Sequence, residues 1–370
     1  MNAFARVTAG LEHIAWQDIQ TQTGAALRGF GHRRIDLWHT NAQQLLALNS
    51  VDDVYLEVAH LYGLDHTRPS LAALQQATQA DWHSALSVIS QLRPLPASPT
   101  YGITASFVGK RNYSRYDIEN ALHTYLVAQL PMRFVPNGPS SDDTLRDVEV
   151  RVLLEADWAR IGIRLGHAPL HRRPYKTDSL PGSLKAPVAY NLCQMAELGP
   201  SDAVLDITCG AGTILIEAAL HHTSGPVAGI DLAPQAAQAA HHNAVRAGLS
   251  VAQANTPTDL RPAQQAARIT LCTGDAQHLH ALPQRFQAVI SNLPWGRQVA
   301  AGTDLLPLYA GLLDTVQHSL SAGGRAVLLT DQTAALDQAL RSHPQLALIT
   351  TTTLSLFGSH PVVYQLQKQP

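Results

Sequence analysis

The sequence holds only three cysteines in 370 residues. Cys193, Cys209 and Cys272 lack metal-site spacing, and three thiols do not form a disulfide framework, so a reducing cytoplasm is expected. Charged residues make up only 15% of the chain, with 26 Lys and Arg against 28 Asp and Glu. That balance excludes a broadly basic nucleic-acid coat. No apolar run approaches the length of a membrane span, and Met1 to Gly10 has no signal-peptide pattern, so no membrane partner is expected. The eighteen histidines are scattered. His60, His66 and His83, like the pairs His221-His222 and His241-His242, stand without an accompanying Cys or carboxylate pattern, and no metal is expected. Two nucleotide motifs are missing as well. After Gly210-Ala211-Gly212, Leu215 occupies the place where the dinucleotide fingerprint needs a small residue, and there is no Walker lysine.

What charge there is gathers in the middle. Residues 101–185 carry 12 Lys and Arg against 9 Asp and Glu, whereas both flanks are net negative. A polyanion would therefore meet mainly this third. Within it, Ser114 and Asp117 make a capping-box start for a helix with Ile118, Ala121, Leu122 and Tyr125 on one face. Lys110, Arg111 and Arg115 cluster at that helix N-terminus, a ready phosphate site that reads equally well as a solvated loop. His171-Arg172-Arg173-Pro174-Tyr175-Lys176 is a basic connector, which could be an ordinary linker but is expected to line an RNA path because it leads into the catalytic half.

The pattern of elements divides the chain. Short strands at Phe4 to Val7, Arg34 to Trp38 and Val54 to Val58 alternate with helices from Leu11 and Ala42, a small α+β unit of ferredoxin-like type over residues 1–62. Breaks at Thr67-Arg68-Pro69-Ser70 and at Pro94, Pro96 and Pro99 punctuate a second unit over 63–168. Residues 169–180 read as a linker, and 181–370 as an α/β half.

That last half carries the chemistry. The strand Ala203-Val204-Leu205 ends in Asp206 and turns through Thr208-Cys209-Gly210-Ala211-Gly212 into a helix, which lets a ligand approach the backbone. The next strand ends in Asp231, 25 residues on, a spacing suited to a ribose diol. A third ends before Asp275-Ala276. Singly, these acids read as caps or turn formers. The buried strand Ala288-Val289-Ile290 then runs into Asn292-Leu293-Pro294-Trp295. Pro294 biases Leu293 to an extended backbone, so the Leu293 carbonyl can lie beside the Asn292 carboxamide oxygen. Two adjacent acceptors suit an NH2 on a planar ring, and Trp295 offers a face to stack on it. Such an arrangement fits methylation of an exocyclic base nitrogen, a weak nucleophile that needs positioning more than a strong base.

With these motifs together, the chain resembles the THUMP-domain tRNA guanine-N2-methyltransferases that form N2-methylguanosine, over nearly its whole length. The resemblance implies an N-terminal ferredoxin-like domain (1–62), a THUMP RNA-binding domain (63–168), a linker (169–180) and a Rossmann-fold methyltransferase domain with a mostly parallel seven-stranded sheet (181–370). S-adenosylmethionine is the implied cofactor. Pro181-Gly182-Ser183-Leu184 would pack over it. Asp206, Thr208, Cys209, Gly210 and Gly212 would hold its methionine end, Asp231 its ribose, and Asp275 with Ala276 its adenine. Asn292, Leu293, Pro294 and Trp295 would form the catalytic motif, with Asn292 also touching the cofactor. Lys110, Arg111, Arg115, His171, Arg172, Arg173 and Lys176 would meet tRNA. The implied enzyme is a cytoplasmic monomer acting on guanosine 6 of the acceptor stem. Guanosine 10, an rRNA guanosine and adenine N6 remain open. A Trp stands where many relatives have Tyr or Phe.

Overall fold

The computed structural model describes residues 1–137, 146–260, 268–279, 285–296, 304–356 and 358–370. Two compact units divide the chain. One holds Met1–Val7 and Trp16–Leu170, the other Thr8–Ala15 and His171–Pro370.

The first unit is built on one sheet of eight strands: β1 (Asn2–Arg6), β2 (Ala26–Gly31), β3 (Arg34–Trp38), β4 (Asp53–Tyr62), β5 (Thr100–Phe107), β6 (Arg133–Phe134), β7 (Val148–Glu155) and β8 (Trp158–Arg164). Their order is β2-β3-β1-β4-β8-β7-β5-β6. Strand β4 pairs antiparallel with both β1 and β8. The expected boundary at 62/63 thus falls at the end of a strand that joins both halves into one sheet. Local patterning carries no trace of this, because the β4–β8 pairing spans about a hundred residues of chain. The face of this sheet interlocks charges. Arg34 pairs with Asp36 at 2.9 Å and with Glu155 at 3.0 Å, and Arg164 pairs with Asp53 at 2.6 Å. The helix Arg115–Leu126 opens with the expected Ser114–Asp117 capping box.

The second unit is an open α/β sheet of β9 (Val204–Asp206), β10 (Val227–Asp231), β11 (Val251–Ala254), β12 (Ile269–Thr273), β13 (Phe286–Asn292), β14 (Leu320–Thr330), β15 (Leu346–Thr353) and β16 (Val362–Lys368). The order is β11-β12-β10-β9-β13-β14-β16-β15. The pairings from β11 through β14 are parallel, and β16 is antiparallel to β14 and to β15, the closing hairpin. The expectation of seven strands is corrected to eight. The extra strand is β11, a four-residue edge piece beside β12, too short and too polar at Gln253 to stand out in the sequence.

Topology fixes where the site lies. Strand β9 sits between β10 and β13, so chain direction outward from β9 reverses there, and ligands bind at the carboxyl ends beside such a switch point. Leu205, Ile230, Val289 and Leu328 are buried in the core below, packed with Tyr309, Leu312 and Val316 of the helix Leu305–Ser319. Each such apolar side chain contributes about 1.5–3 kcal/mol by leaving water, which holds the strand ends in place.

Candidate active site

A cavity of about 290 Å³ opens at the ends of β9, β10 and β13. Its walls come from the 180–184 segment, Asp206, the turn Thr208–Ala211, Asp231 to Ala233, Asn292 and Pro294. Each wall follows from local chemistry. Gly210 and Gly212 have φ of 50° and 76°, and a Cβ on Gly212 would meet Ala240 Cβ at 2.9 Å. Glycine there lets the turn close tightly against the helix Pro234–Arg246.

Asp231 Oδ2 accepts from Gly210 N at 2.8 Å, and Oδ1 from Ala233 N at 3.0 Å. The carboxylate is half-buried and keeps lone pairs for further donors. Asp206 is fully buried. Its Oδ1 accepts from Ser291 Oγ at 2.6 Å and Thr208 N at 3.1 Å. Burial pushes this carboxyl up to about 7, against the pull of those two hydrogen bonds. A cation in the cavity would favour its charged form. Ser291 was not singled out from the sequence. Its hydroxyl also accepts from Ile207 N at 2.8 Å and so ties β13 to β9.

Asn292 is held at both ends of its carboxamide. Nδ2 donates to Gly182 O at 3.2 Å, and Oδ1 accepts from Trp295 Nε1 at 3.0 Å. Trp295 is buried, 7% exposed, rather than presented as an open stacking face. Pro294 O accepts from Tyr309 Oη at 2.7 Å, and Thr208 Oγ1 donates to Asn292 O at 3.1 Å, which fixes the turn from two sides.

Several expected site residues stand apart from the cavity. Asp275 caps a short 3-10 turn at Ala276–His278, accepting from Gln277 N at 2.9 Å, and neither Asp275 nor Ala276 is among the lining residues. Leu232, next to Asp231, does line it, with 71% of its surface exposed. Gly212, Leu293 and Trp295 lie behind the lining.

The connector differs most from expectation. Arg173 was expected to meet RNA, yet its guanidinium donates to Glu217 at 3.2 and 3.5 Å, with the Glu217 side chain wholly buried. Tyr175 Oη donates to the same carboxylate at 2.6 Å. Lys176 points inward too, donating to Leu184 O and, at 3.0 Å, to Thr213 Oγ1. Burial lowers its ammonium to about 8. Asn243, fully buried, accepts from Thr177 N and Asp178 N and donates to Asp178 O and Ala211 O. The stretch 171–180 is thus stitched to the glycine turn and to the 180–184 wall, and belongs to the second unit rather than to a free linker. Asn243 lay in an Ala-rich helix, where one buried amide among alanines was the available signal. Of the connector's other expected RNA contacts, Arg172 is exposed and His171 half-buried.

In the first unit, Arg111 donates to Leu64 O, Asp65 O and Ala156 O at 2.7–2.8 Å and so braces three loops. Lys110 and Arg115 are exposed, with Arg115 against the Tyr116 ring at 4.7 Å.

Comparison with known proteins agrees with this geometry. Residues 173–353 match the family described as RMKL-like, methyltransferase domain. The matched stretch lies within the second unit. The match begins inside the connector, where the stitching begins. The chain is also similar to a tRNA (guanine(6)-N2)-methyltransferase of Thermus thermophilus, 31% identical over 224 residues covering 60% of each chain. A tRNA (guanine(6)-N(2))-methyltransferase THUMP3 of Bos taurus is 27% identical over 62% of this chain and 45% of its own. The matched stretches therefore span about half the length of these curated relatives. Among solved structures, that of TrmN from Thermus thermophilus is similar over 99% of both chains, with a TM-score of 0.74 and 25% identity.

Proposed function

We propose that the chain is an S-adenosylmethionine-dependent methyltransferase acting on the exocyclic N2 of a guanosine in tRNA, guanosine 6 of the acceptor stem. One observation carries this reading: Asp206, Asp231, the glycine turn and Asn292 open onto a single cavity. End-to-end similarity to TrmN supports it.

The donor set fits the cofactor. Asp231 accepts from ribose hydroxyls, Leu232 covers an adenine face, and Asp206 faces the cationic methionine end. Gly210 keeps a side chain out of its way, and Gly212 lets the turn close against Ala240 behind it. When bound, S-adenosylmethionine would supply a methyl on a sulfonium, whose C–S bond would be exchanged for an N–C bond with S-adenosylhomocysteine as the leaving group. Asn292 Oδ1 and the Leu293 carbonyl accept from the amine hydrogens and aim the nitrogen lone pair, and the second amine proton is lost to water. Pro294 sets the turn, and Trp295, buried behind the cavity wall, donates its indole N–H to Asn292 Oδ1.

Residues 1–62 and 63–168 act as ferredoxin-like and THUMP parts of one RNA-binding unit, with Lys110, Arg115, His171 and Arg172 on phosphates. The enzyme works in the cytoplasm as a monomer. Nucleoside mass spectrometry of tRNA from a deletion strain, with the position mapped, tests all of this. Loss of N2-methylguanosine at position 6 is expected. Loss at position 10, or loss of N6-methyladenosine, would reassign the substrate.

A further inference from the structure

The two hydrogen bonds on Asn292 determine which way its carboxamide faces. A carbonyl such as Gly182 O only accepts, and an indole N–H only donates. The amide therefore turns Nδ2 to Gly182 at 3.2 Å and Oδ1 to Trp295 at 3.0 Å. Asn292 lines the cavity, while Trp295 lies buried behind it. Oδ1 is the atom the target amine needs, and here an indole N–H already sits on it. Phe at position 295 would offer no donor, and Tyr would carry its donor at the far end of the ring. The occupancy of Oδ1 is thus a property of tryptophan.

We propose that Trp295 is a positioning residue that serves as a placeholder for the substrate amine: its indole N–H holds Asn292 Oδ1 until a purine NH2 displaces it, and takes it back once the methylated base leaves. The inference rests on the proposed methyl transfer to an exocyclic amine. The indole N–H keeps the acceptor paired while the site is empty, and its displacement leaves that buried donor without Oδ1. Its cost is weaker binding of substrate and product alike. It also selects for bases that bring a donor, since a carbonyl in that place would leave two acceptors face to face.

The test compares wild type with Trp295→Phe and with an enzyme carrying a benzothienyl-alanine at 295, which keeps the indole shape and lacks the N–H. With both, KM for tRNA should fall roughly two- to tenfold, the worth of one net hydrogen bond, while kcat stays within about twofold. Indole N–H NMR of the wild type adds a readout that needs no turnover. The signal missing in Trp295→Phe should shift in Asn292→Ala, and should move on adding tRNA with S-adenosylhomocysteine but not on adding S-adenosylhomocysteine alone. An unchanged KM in the isostere, or an indole signal indifferent to Asn292→Ala, overturns the placeholder. If wild type forms no methylated guanosine, the proposed reaction fails instead, and the indole signal still decides whether the Trp295–Asn292 bond exists.

Discussion

Tyr175 and Glu217, 42 residues apart, meet through a 2.6 Å hydrogen bond inside the second unit. Burial, then the neighbouring carboxylate, pushes the Tyr175 phenol well above its ordinary value, so it stays a donor at any working pH. Arg173 closes the cluster from the other side. Replacing Glu217 by Ala takes the buried carboxylate away from both the guanidinium and the phenol. Breaking a buried pair this way costs about 3–5 kcal/mol, to be read as a lowered urea midpoint. A midpoint shift worth under about 1 kcal/mol would place Arg173 in solvent.

Asp231→Ala removes the acceptor for a ribose diol and frees Gly210 N and Ala233 N. S-adenosylmethionine should bind more weakly by about 1.5–3 kcal/mol, the range for hydrogen bonds to a charged group. Calorimetry on the folded variant checks this, and unchanged affinity would remove Asp231 from the cofactor site.

Asp206 gives the ligand-free protein a pH signature. Its folded value, about 7, lies above the unfolded value near 3.9. The folded state therefore binds the extra proton, and stability falls as pH rises between roughly 4 and 7, by at most about 1.4 kcal/mol per pH unit. Urea melts at pH 5, 6 and 8 should show a drop that Asp206→Asn flattens. A saturating cationic ligand should flatten it too.

Asn292→Ala should keep cofactor affinity within about tenfold, since it loses one tie to Gly182. Turnover should fall by about 10²–10³, the scale for one preorganised polar group. Asn292→Asp is a harsher change. It sets a carboxylate oxygen where Nδ2 now faces Gly182 O at 3.2 Å, acceptor against acceptor. The 180–184 wall must then move, so Asp should lose cofactor affinity as well as turnover. Equal, near-wild-type rates in both variants would put the chemistry elsewhere.

The basic residues separate by role. Lys110→Ala with Arg115→Ala should weaken tRNA binding and reduce its salt slope by about 1 per residue, leaving the melting curve alone. Arg111→Ala should act on stability, by about 1.5–3 kcal/mol, because Leu64 O, Asp65 O and Ala156 O each lose a guanidinium N–H, with Asp65 O keeping those of Tyr113 Oη and Ser70 Oγ. Filter binding across a salt series, run beside urea melts, tells the two apart.

Much of the site was legible because its parts lie in short runs. Asp206 with Gly210 and Gly212, Asp231, and Asn292 with Trp295 each announce a strand end by apolar residues followed by a turn, and parallel pairing brings those ends together. What pairs across distance was hidden. Ser291 reads as one more strand residue until β9 lies beside it, and Arg173 reads as an exposed cation until Glu217 of a distant helix comes under it. Charge in a basic run says nothing about which members face inward. Asp275 shows why a strand-end acid is ambiguous: its carboxylate caps its own turn, as that of Asp231 does, and a cap and a ligand contact look alike in sequence.

Strand β4 has a consequence for how this chain can be cut. With β1 on one flank and β8 on the other, severing the chain after residue 62 would strip a neighbour from each fragment and bare two sheet edges, templates for aggregation rather than for independent modules. A shuffling event that moved the first sixty residues alone would have to supply a replacement strand.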